Sequence, residues 1–92
     1  MTLALVINSG SSSLKYQLIE LDSEITLASG LIERIGEPAS SVRHETAGSR
    51  HERELAVADH VEALAVVRRS FAEYGPDLTA EPPAVIGHRV VH

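Results

Sequence analysis

Asn8-Ser9-Gly10-Ser11-Ser12-Ser13-Leu14-Lys15 holds the densest run of chemistry-bearing residues in the chain. A tight turn of this composition can aim backbone N–H groups into one concavity, which suits an anion. Gly10 offers a positive backbone angle and lets the main chain come close to a phosphate. Ser11, Ser12 and Ser13 add short hydroxyl donors. Lys15 falls two residues past Ser13, so on an extended strand both can face one ligand. Asn8 supplies a neutral oxygen that could contact magnesium, directly or through water. The pattern is not a Walker A loop, which needs a Gly-Lys-Ser or Gly-Lys-Thr ending that opens a helix. Here Lys15 follows Leu14 and the chain continues as a strand. Read from composition alone, the segment is also compatible with a polar hairpin turn carrying an exposed lysine.

Arg89 has chemistry that would suit a similar ligand, although nothing in its local pattern singles it out. It sits just beyond the short apolar run Ala84–Ile86, at the carboxyl end of a strand, where ligands of open α/β sheets usually bind. A guanidinium pairs bidentately with carboxylate or phosphate oxygens and stays charged. An arbitrary arginine at a strand end is, equally, an ordinary solvated surface residue.

The elements that must position these residues follow from the hydrophobic pattern. Leu3–Ile7 is a continuous aliphatic run, which predicts a strand buried on both faces. Ser13–Glu20 alternates, with Leu14, Tyr16 and Leu18 against Ser13, Lys15 and Gln17, and predicts a second strand. The two strands around the polar turn make a hairpin. Asp22-Ser23 marks a further turn. Ile25–Ile35 reads as a third strand interrupted near Gly30, with Ile25, Leu27, Leu31 and Ile32 as its core side chains. The polar stretch Gly36–Arg53 is expected to form an exposed hairpin, with strands near Ser41–Thr46 and His51–Val57. Asp59–Tyr74 is the clearest helix. Asp59 caps it, Glu62 completes a capping-box arrangement, and Val61, Leu64, Val67 and Phe71 form its apolar face with Arg68 at the edge. Gly75 stops the helix and Pro76 prevents its continuation. Strands, an inserted hairpin, a helix and a final strand predict an α/β fold with a mixed sheet.

Composition narrows the partners. The chain has 92 residues, 43% of them apolar, and carries 13 acidic against 8 basic residues for a net charge of −5. This charge lacks the basic face that nucleic-acid binding requires. Tyr16, Phe71 and Tyr74 are its only aromatics, poor material for stacking on bases. No apolar run approaches the length of a membrane span, and the amino terminus lacks the charged and cleavable segments of a signal peptide. Cysteine is absent, so thiolate metal sites and disulfides are excluded, and the expected compartment is the cytoplasm. His44, His51 and His60 lack metal-ligand spacing and read as surface residues; His88 and His92 read as structural. Glu52, Arg53 and Glu54 read as a solvated charge run.

Val6-Ile7-Asn8-Ser9-Gly10-Ser11-Ser12-Ser13-Leu14-Lys15 resembles the amino-terminal signature of the acetate and butyrate kinases. The likeness extends into Tyr16-Gln17-Leu18, as in the acetate kinases. Ile86-Gly87-His88-Arg89-Val90-Val91-His92 resembles the start of a second signature of the same family. The resemblance implies the amino-terminal part of an actin, Hsp70 and sugar-kinase-like (ribonuclease H-like) domain. Residues 1–92 would form that partial domain, and a second, nucleotide-binding domain would lie outside them. It further implies magnesium-dependent phosphoryl transfer between ATP and acetate, giving acetyl phosphate and ADP reversibly. By that resemblance Asn8 would help position magnesium, Lys15 would contact nucleotide phosphate with Gly10, Ser11 and Ser13 in support, and Arg89 would contact the acyl substrate. The family's catalytic aspartate, second arginine and transition-state histidine would lie beyond the second signature, so the isolated segment is expected to be inactive. The complete enzyme would be a homodimer. Propionate or butyrate as the acyl substrate, and a non-catalytic phosphate-binding module, are the other readings.

Overall fold

The computed structural model describes residues 1–90. Strands β1 (Leu3–Ser9) and β2 (Leu14–Glu20) pair antiparallel through the polar turn, and β3 (Ile25–Glu33) pairs antiparallel with β2. The hairpin β4 (Ser40–Thr46) and β5 (Ser49–Leu55) extends the sheet outward. Helix α1 (His60–Tyr74) then carries the chain across one face, and β6 (Val85–Val90) lies parallel to β1. The result is a mixed six-stranded sheet of order β5-β4-β3-β2-β1-β6, the α/β architecture expected from the pattern.

Because side chains alternate across a strand, one residue set from each strand faces α1. Leu3, Leu5 and Ile7 of β1, Leu14, Tyr16 and Leu18 of β2, Ala28 and Ile32 of β3, and Val42 of β4 are buried there. The helix answers with Ala63, Val66, Val67 and Phe71. Asp59 accepts from the Glu62 N–H at 2.8 Å and Glu62 accepts from the Ala58 N–H at 3.0 Å, so orphan donors around the helix start are satisfied. At the other end the Gly75 N–H donates to Phe71 O at 2.8 Å, with Gly75 at φ 82°. That angle explains the glycine stop.

Several expectations are corrected. Of the face the spacing suggested for α1, Val67 and Phe71 are buried, but Val61 is 77% exposed and Leu64 36%. Small residues decide this. Ala63 and Ser70 are fully buried and let the helix come close to the sheet, whereas Leu64 and Arg68 border an apolar groove with Leu78, Pro83 and Ile86. Ile25 is 57% exposed, and Leu27 and Leu31 are half-buried. The α1-facing phase of β3 is carried instead by Ala28, Gly30 and Ile32. No interruption occurs at Gly30. The strand runs through, and the register shifts instead between Leu18 and Ile19 of its partner. Gly30 pairs with Tyr16, and a Cβ on Gly30 would stand 2.0 Å from Tyr16 Cζ. The glycine is there so that the tyrosine ring can lie across the strand. Gly10 does not use the positive angle expected of it, for positive-φ glycines occur at Gly36, Gly48 and Gly75. The reversal is spread over Gly10–Ser13, so no residue in it needs the left-handed region.

The hairpin over 36–57 is present, and its charges are organised. Arg50 pairs with Glu52 at 2.6 Å and with Glu45 at 3.4 Å, and Arg34 approaches Glu54 at 3.7 Å. Arg53 is half-buried, reaches Glu73 of α1 at 3.4 Å and lies 5.8 Å from the Tyr74 ring centre. Glu52 and Glu54 are solvated as expected, while Arg53 instead ties β5 to the helix.

Candidate phosphate and carboxylate site

The face of the sheet opposite α1 carries the candidate residues. Asn8 stands opposite Lys15 in the β1–β2 ladder and opposite Arg89 in the β1–β6 ladder. Cross-strand partners share a face, so Lys15, Asn8 and Arg89 form one row across adjacent strands. Neighbouring strands lie about 5 Å apart, which puts the two cations about 10 Å apart at the backbone with the amide between them. Lys15 and Arg89 are exposed and Asn8 is half-buried. Arg89 lies inside β6 rather than beyond it, because the parallel ladder with β1 continues as far as Ser9 and Val90. The apolar run Ala84–Ile86 is too short to reveal this, since the later pairs depend on the neighbouring strand.

At the end of this row stands the turn. The Gly10 N–H donates to Ser13 O at 2.9 Å, and Ser12 O accepts from the Ile35 N–H at 2.9 Å. Among the described residues, the N–H groups of Ser11, Ser12 and Ser13 meet no acceptor of the chain. Ser11 and Ser12 are exposed and Ser13 half-buried. Unpaired N–H groups and hydroxyls near a lysine make a donor set that suits phosphate oxygens. Behind the turn, on the α1 side, Ser9 Oγ and His88 Nε2 are hydrogen-bonded at 2.7 Å and join β1 to β6.

The three histidines read as surface residues are all engaged in the fold. His44 is buried. Its Nε2 lies 2.8 Å from Gly75 O and its Nδ1 2.6 Å from Tyr16 Oη. A carbonyl can only accept, so Nε2 carries the hydrogen and Nδ1 accepts from the tyrosine hydroxyl. Burial pushes the Tyr16 phenol up to about 12 and holds His44 below the usual histidine range. Both effects favour this neutral pair. His60 is half-buried and touches the turn, with Nε2 at 2.8 Å from Gly10 O and 3.2 Å from Ser13 O. His51 is half-buried as well, stacked on Tyr74 with ring centres 3.9 Å apart. Among the described residues no group of histidine and carboxylate ligands could hold a metal ion by itself.

A sequence model described as the Acetokinase family matches residues 3–92. The chain belongs to the acetokinase family. It is 59% identical over 92 residues to the acetate kinase of Clavibacter michiganensis subsp. michiganensis, covering 100% of this chain and 23% of that protein. Among solved structures, the acetate kinase of Porphyromonas gingivalis superposes with a TM-score of 0.85 at 32% identity, covering 100% of this chain and 24% of that one. A propionate kinase from Francisella tularensis superposes with a TM-score of 0.82 at 30% identity, covering 100% and 23%. The chain thus spans less than a quarter of the length of these relatives, and its fold is that of the matching part of the kinase structures. Within the family's two signatures, the structure brings Asn8, Lys15 and Arg89 together and places Gly10, Ser11 and Ser13 in the adjoining turn. Val91 and His92, which also belong to the start of the second signature, lie outside the described residues.

His60 and Ser9 are the neighbours of the site that sequence reasoning missed. No side-chain motif could have found His60, because its partners are backbone carbonyls distant in the chain. Ser9 had a weak signal: it closes the alternation Leu5, Ile7, Ser9 on the buried face of β1, and a buried hydroxyl needs a partner.

Proposed function

We propose that this segment forms the anion-binding part of an acetate kinase, which transfers a phosphoryl group between ATP and acetate to give ADP and acetyl phosphate. The observation that carries the reading is the row Lys15–Asn8–Arg89 beside a turn with unpaired N–H groups. Phosphoryl transfer asks the protein chiefly for alignment and for stabilisation of charge on the equatorial oxygens. The turn N–H groups and Lys15 would receive nucleotide phosphate, with the Ser11 and Ser13 hydroxyls in support. Arg89 would grip the acyl carboxylate through its planar fork. Two cations about 10 Å apart at the backbone, both on flexible stems, can hold the two reactants toward each other.

Magnesium fits this donor set in a limited way. Asn8 and the serines offer hard, neutral oxygens, but cations flank Asn8 and no ligand cluster exists among the described residues. Such residues suit an ion that arrives with nucleotide phosphates and keeps several waters. Bound there, magnesium would neutralise phosphate charge, while Asn8 orients its water or contacts it directly.

Acetate is favoured over propionate by relatives named acetate kinase at 59% and 56% identity, whereas the solved acetate and propionate kinases, at 32% and 30%, do not separate the two. The remaining catalytic groups, the nucleoside-binding domain and a homodimer interface would belong to the rest of a complete kinase. A cytoplasmic location is consistent with a described fold in which no helix is long and apolar enough to cross a membrane. The test is steady-state kinetics on a complete kinase carrying this segment. Lys15→Ala should raise the KM for ATP and Arg89→Ala the KM for acetate, each with a loss of kcat. An Arg89→Ala protein with unaltered acetate kinetics would refute the assignment.

A further inference from the structure

The turn Gly10–Ser13 is gripped from behind by a residue that cannot itself reach a ligand on the other side. His60, the first residue of α1, points Nε2 at Gly10 O and Ser13 O, at 2.8 and 3.2 Å. Both partners are carbonyl oxygens and only accept, so Nε2 must carry a hydrogen. The Ser12 carbonyl, between them, accepts from the Ile35 N–H at 2.9 Å. The carbonyls of Gly10, Ser12 and Ser13 are therefore all drawn toward the body of the domain.

Peptide planarity turns this grip into an aim. In a trans peptide the C=O of one residue and the N–H of the next point in opposite directions. Holding Gly10 O inward turns the Ser11 N–H outward, and holding Ser12 O inward does the same for the Ser13 N–H. Both are among the three turn donors left without an acceptor among the described residues. The Gly10–Ser11 peptide is the one most in need of an anchor, because glycine allows it to rotate at little cost. Rotated, it would present a carbonyl to an incoming anion instead of a donor.

We propose that His60 is a positioning residue for phosphate binding: its Nε2–H fixes the Gly10–Ser11 peptide so that the Ser11 N–H faces the nucleotide phosphate. The proposal rests on the reading of the turn as a phosphate site. Helix capping does not explain the contact, since Asp59 and Glu62 already satisfy donors at the start of α1.

The experiment uses a complete kinase carrying residues 1–92, as wild type, His60→Ala, His60→Gln and Lys15→Ala, with selective 15N labelling of histidine. Losing the grip on one or two partly buried carbonyls should raise the ATP KM of His60→Ala about 5- to 30-fold. The acetate KM should stay within about twofold, and the thermal midpoint should be unchanged to about 3 °C, as for other partly exposed sites. Glutamine restores an N–H donor near the same position, so His60→Gln should recover the ATP KM to within about threefold of wild type. The 15N shifts should report a hydrogen on Nε2 of His60. An unchanged ATP KM in His60→Ala, a His60→Gln protein as impaired as the alanine variant, or parallel changes in both KM values and the thermal midpoint would each overturn the proposal. A neutral ring with its hydrogen on Nδ1 would overturn it independently of any kinetics. Unaltered ATP kinetics in Lys15→Ala would instead defeat the phosphate reading, and the purpose assigned to His60 with it, even if the Nε2–H tautomer were found.

Discussion

Replacing Gly30 by alanine tests the packing that holds the centre of the sheet together. The new methyl would lie 2.0 Å from Tyr16 Cζ, 2.2 Å from its hydroxyl and 2.3 Å from Cε1. The ring is fully buried, lies 5.5 Å from the Phe71 ring by centroid and donates to His44 at 2.6 Å. It cannot yield without giving up both contacts. Overpacking of this kind costs about 1–3 kcal/mol, and leaving the buried His44 Nδ1 without its donor costs about 1–3 kcal/mol more. Against this stands a gain of about 0.5–1 kcal/mol from replacing glycine in a strand. The net expectation is a loss of about 2–4 kcal/mol, or roughly 10–25 °C in thermal midpoint for a domain of this size. Urea unfolding of residues 1–92, followed by circular dichroism, measures it. The same substitution in a Tyr16→Val background, where the ring is absent, should cost less than about 1 kcal/mol, because contacting residues are not additive. Equal costs in the two backgrounds would refute the argument that the glycine exists for the tyrosine.

Further outcomes follow from the polar contacts. Glu20 is held at about 2 by bonds from the Ser23 hydroxyl, the Ser23 N–H and the Asp22 N–H. Its folded pKa lies below the unfolded value, so its contribution is present above the ordinary glutamate range near ~4.3 and is lost as pH falls toward the folded value. Glu20→Gln should therefore lower the thermal midpoint at pH 7, and the gap from wild type should close near pH 2. His44 is also depressed, chiefly by burial. Its contribution is complete above roughly pH 6.5 and lost as pH falls through the lower folded value. A plot of urea midpoint against pH should fall on the acid side for the wild type and flatten for His44→Gln; parallel plots would exclude His44 as the source. Asp59→Ala removes the acceptor for the Glu62 N–H and should cost about 1 kcal/mol, most of it recovered by Asp59→Asn. Unchanged urea midpoints in both variants would mean the cap contributes nothing measurable.

How far the sequence could be read depended on the range of the interaction. The alternation of Leu14, Tyr16 and Leu18 shows which face of β2 is buried, because period two needs no knowledge of a partner. The helix ends were legible for the same reason: Asp59, Glu62 and Gly75 act within a turn of the residues they cap. The buried face of α1 was legible only in part, at Val67 and Phe71. Its apolar residues are spread around the helix, and the sheet selected the small Ala63 and Ser70 over the larger Leu64. The turn 8–15 could be singled out as a donor-rich segment, and the resemblance added Arg89 to it. What no local pattern contained was the register that sets Arg89 and Lys15 on either side of Asn8. His44 and His60 looked dispensable for a related reason. A histidine bonded to a carbonyl leaves no mark at the carbonyl's position, since every residue has one.

The row across β2, β1 and β6 also has an order of arrival. Asn8 and Lys15 face each other within one hairpin, a structure that forms in about 1–10 μs. Arg89 joins only through a parallel pairing that waits for β3, β4, β5 and α1 to be crossed, and distant pairings form late. A nascent chain that has emerged only as far as Tyr74 would already own the half of the row proposed for phosphate and lack the half proposed for carboxylate. The two halves would thus come into being at different moments of synthesis, and pulse-labelling of amide exchange during refolding should show the β1–β2 hairpin protected before β6. Simultaneous protection of both would mean that the row assembles in a single step.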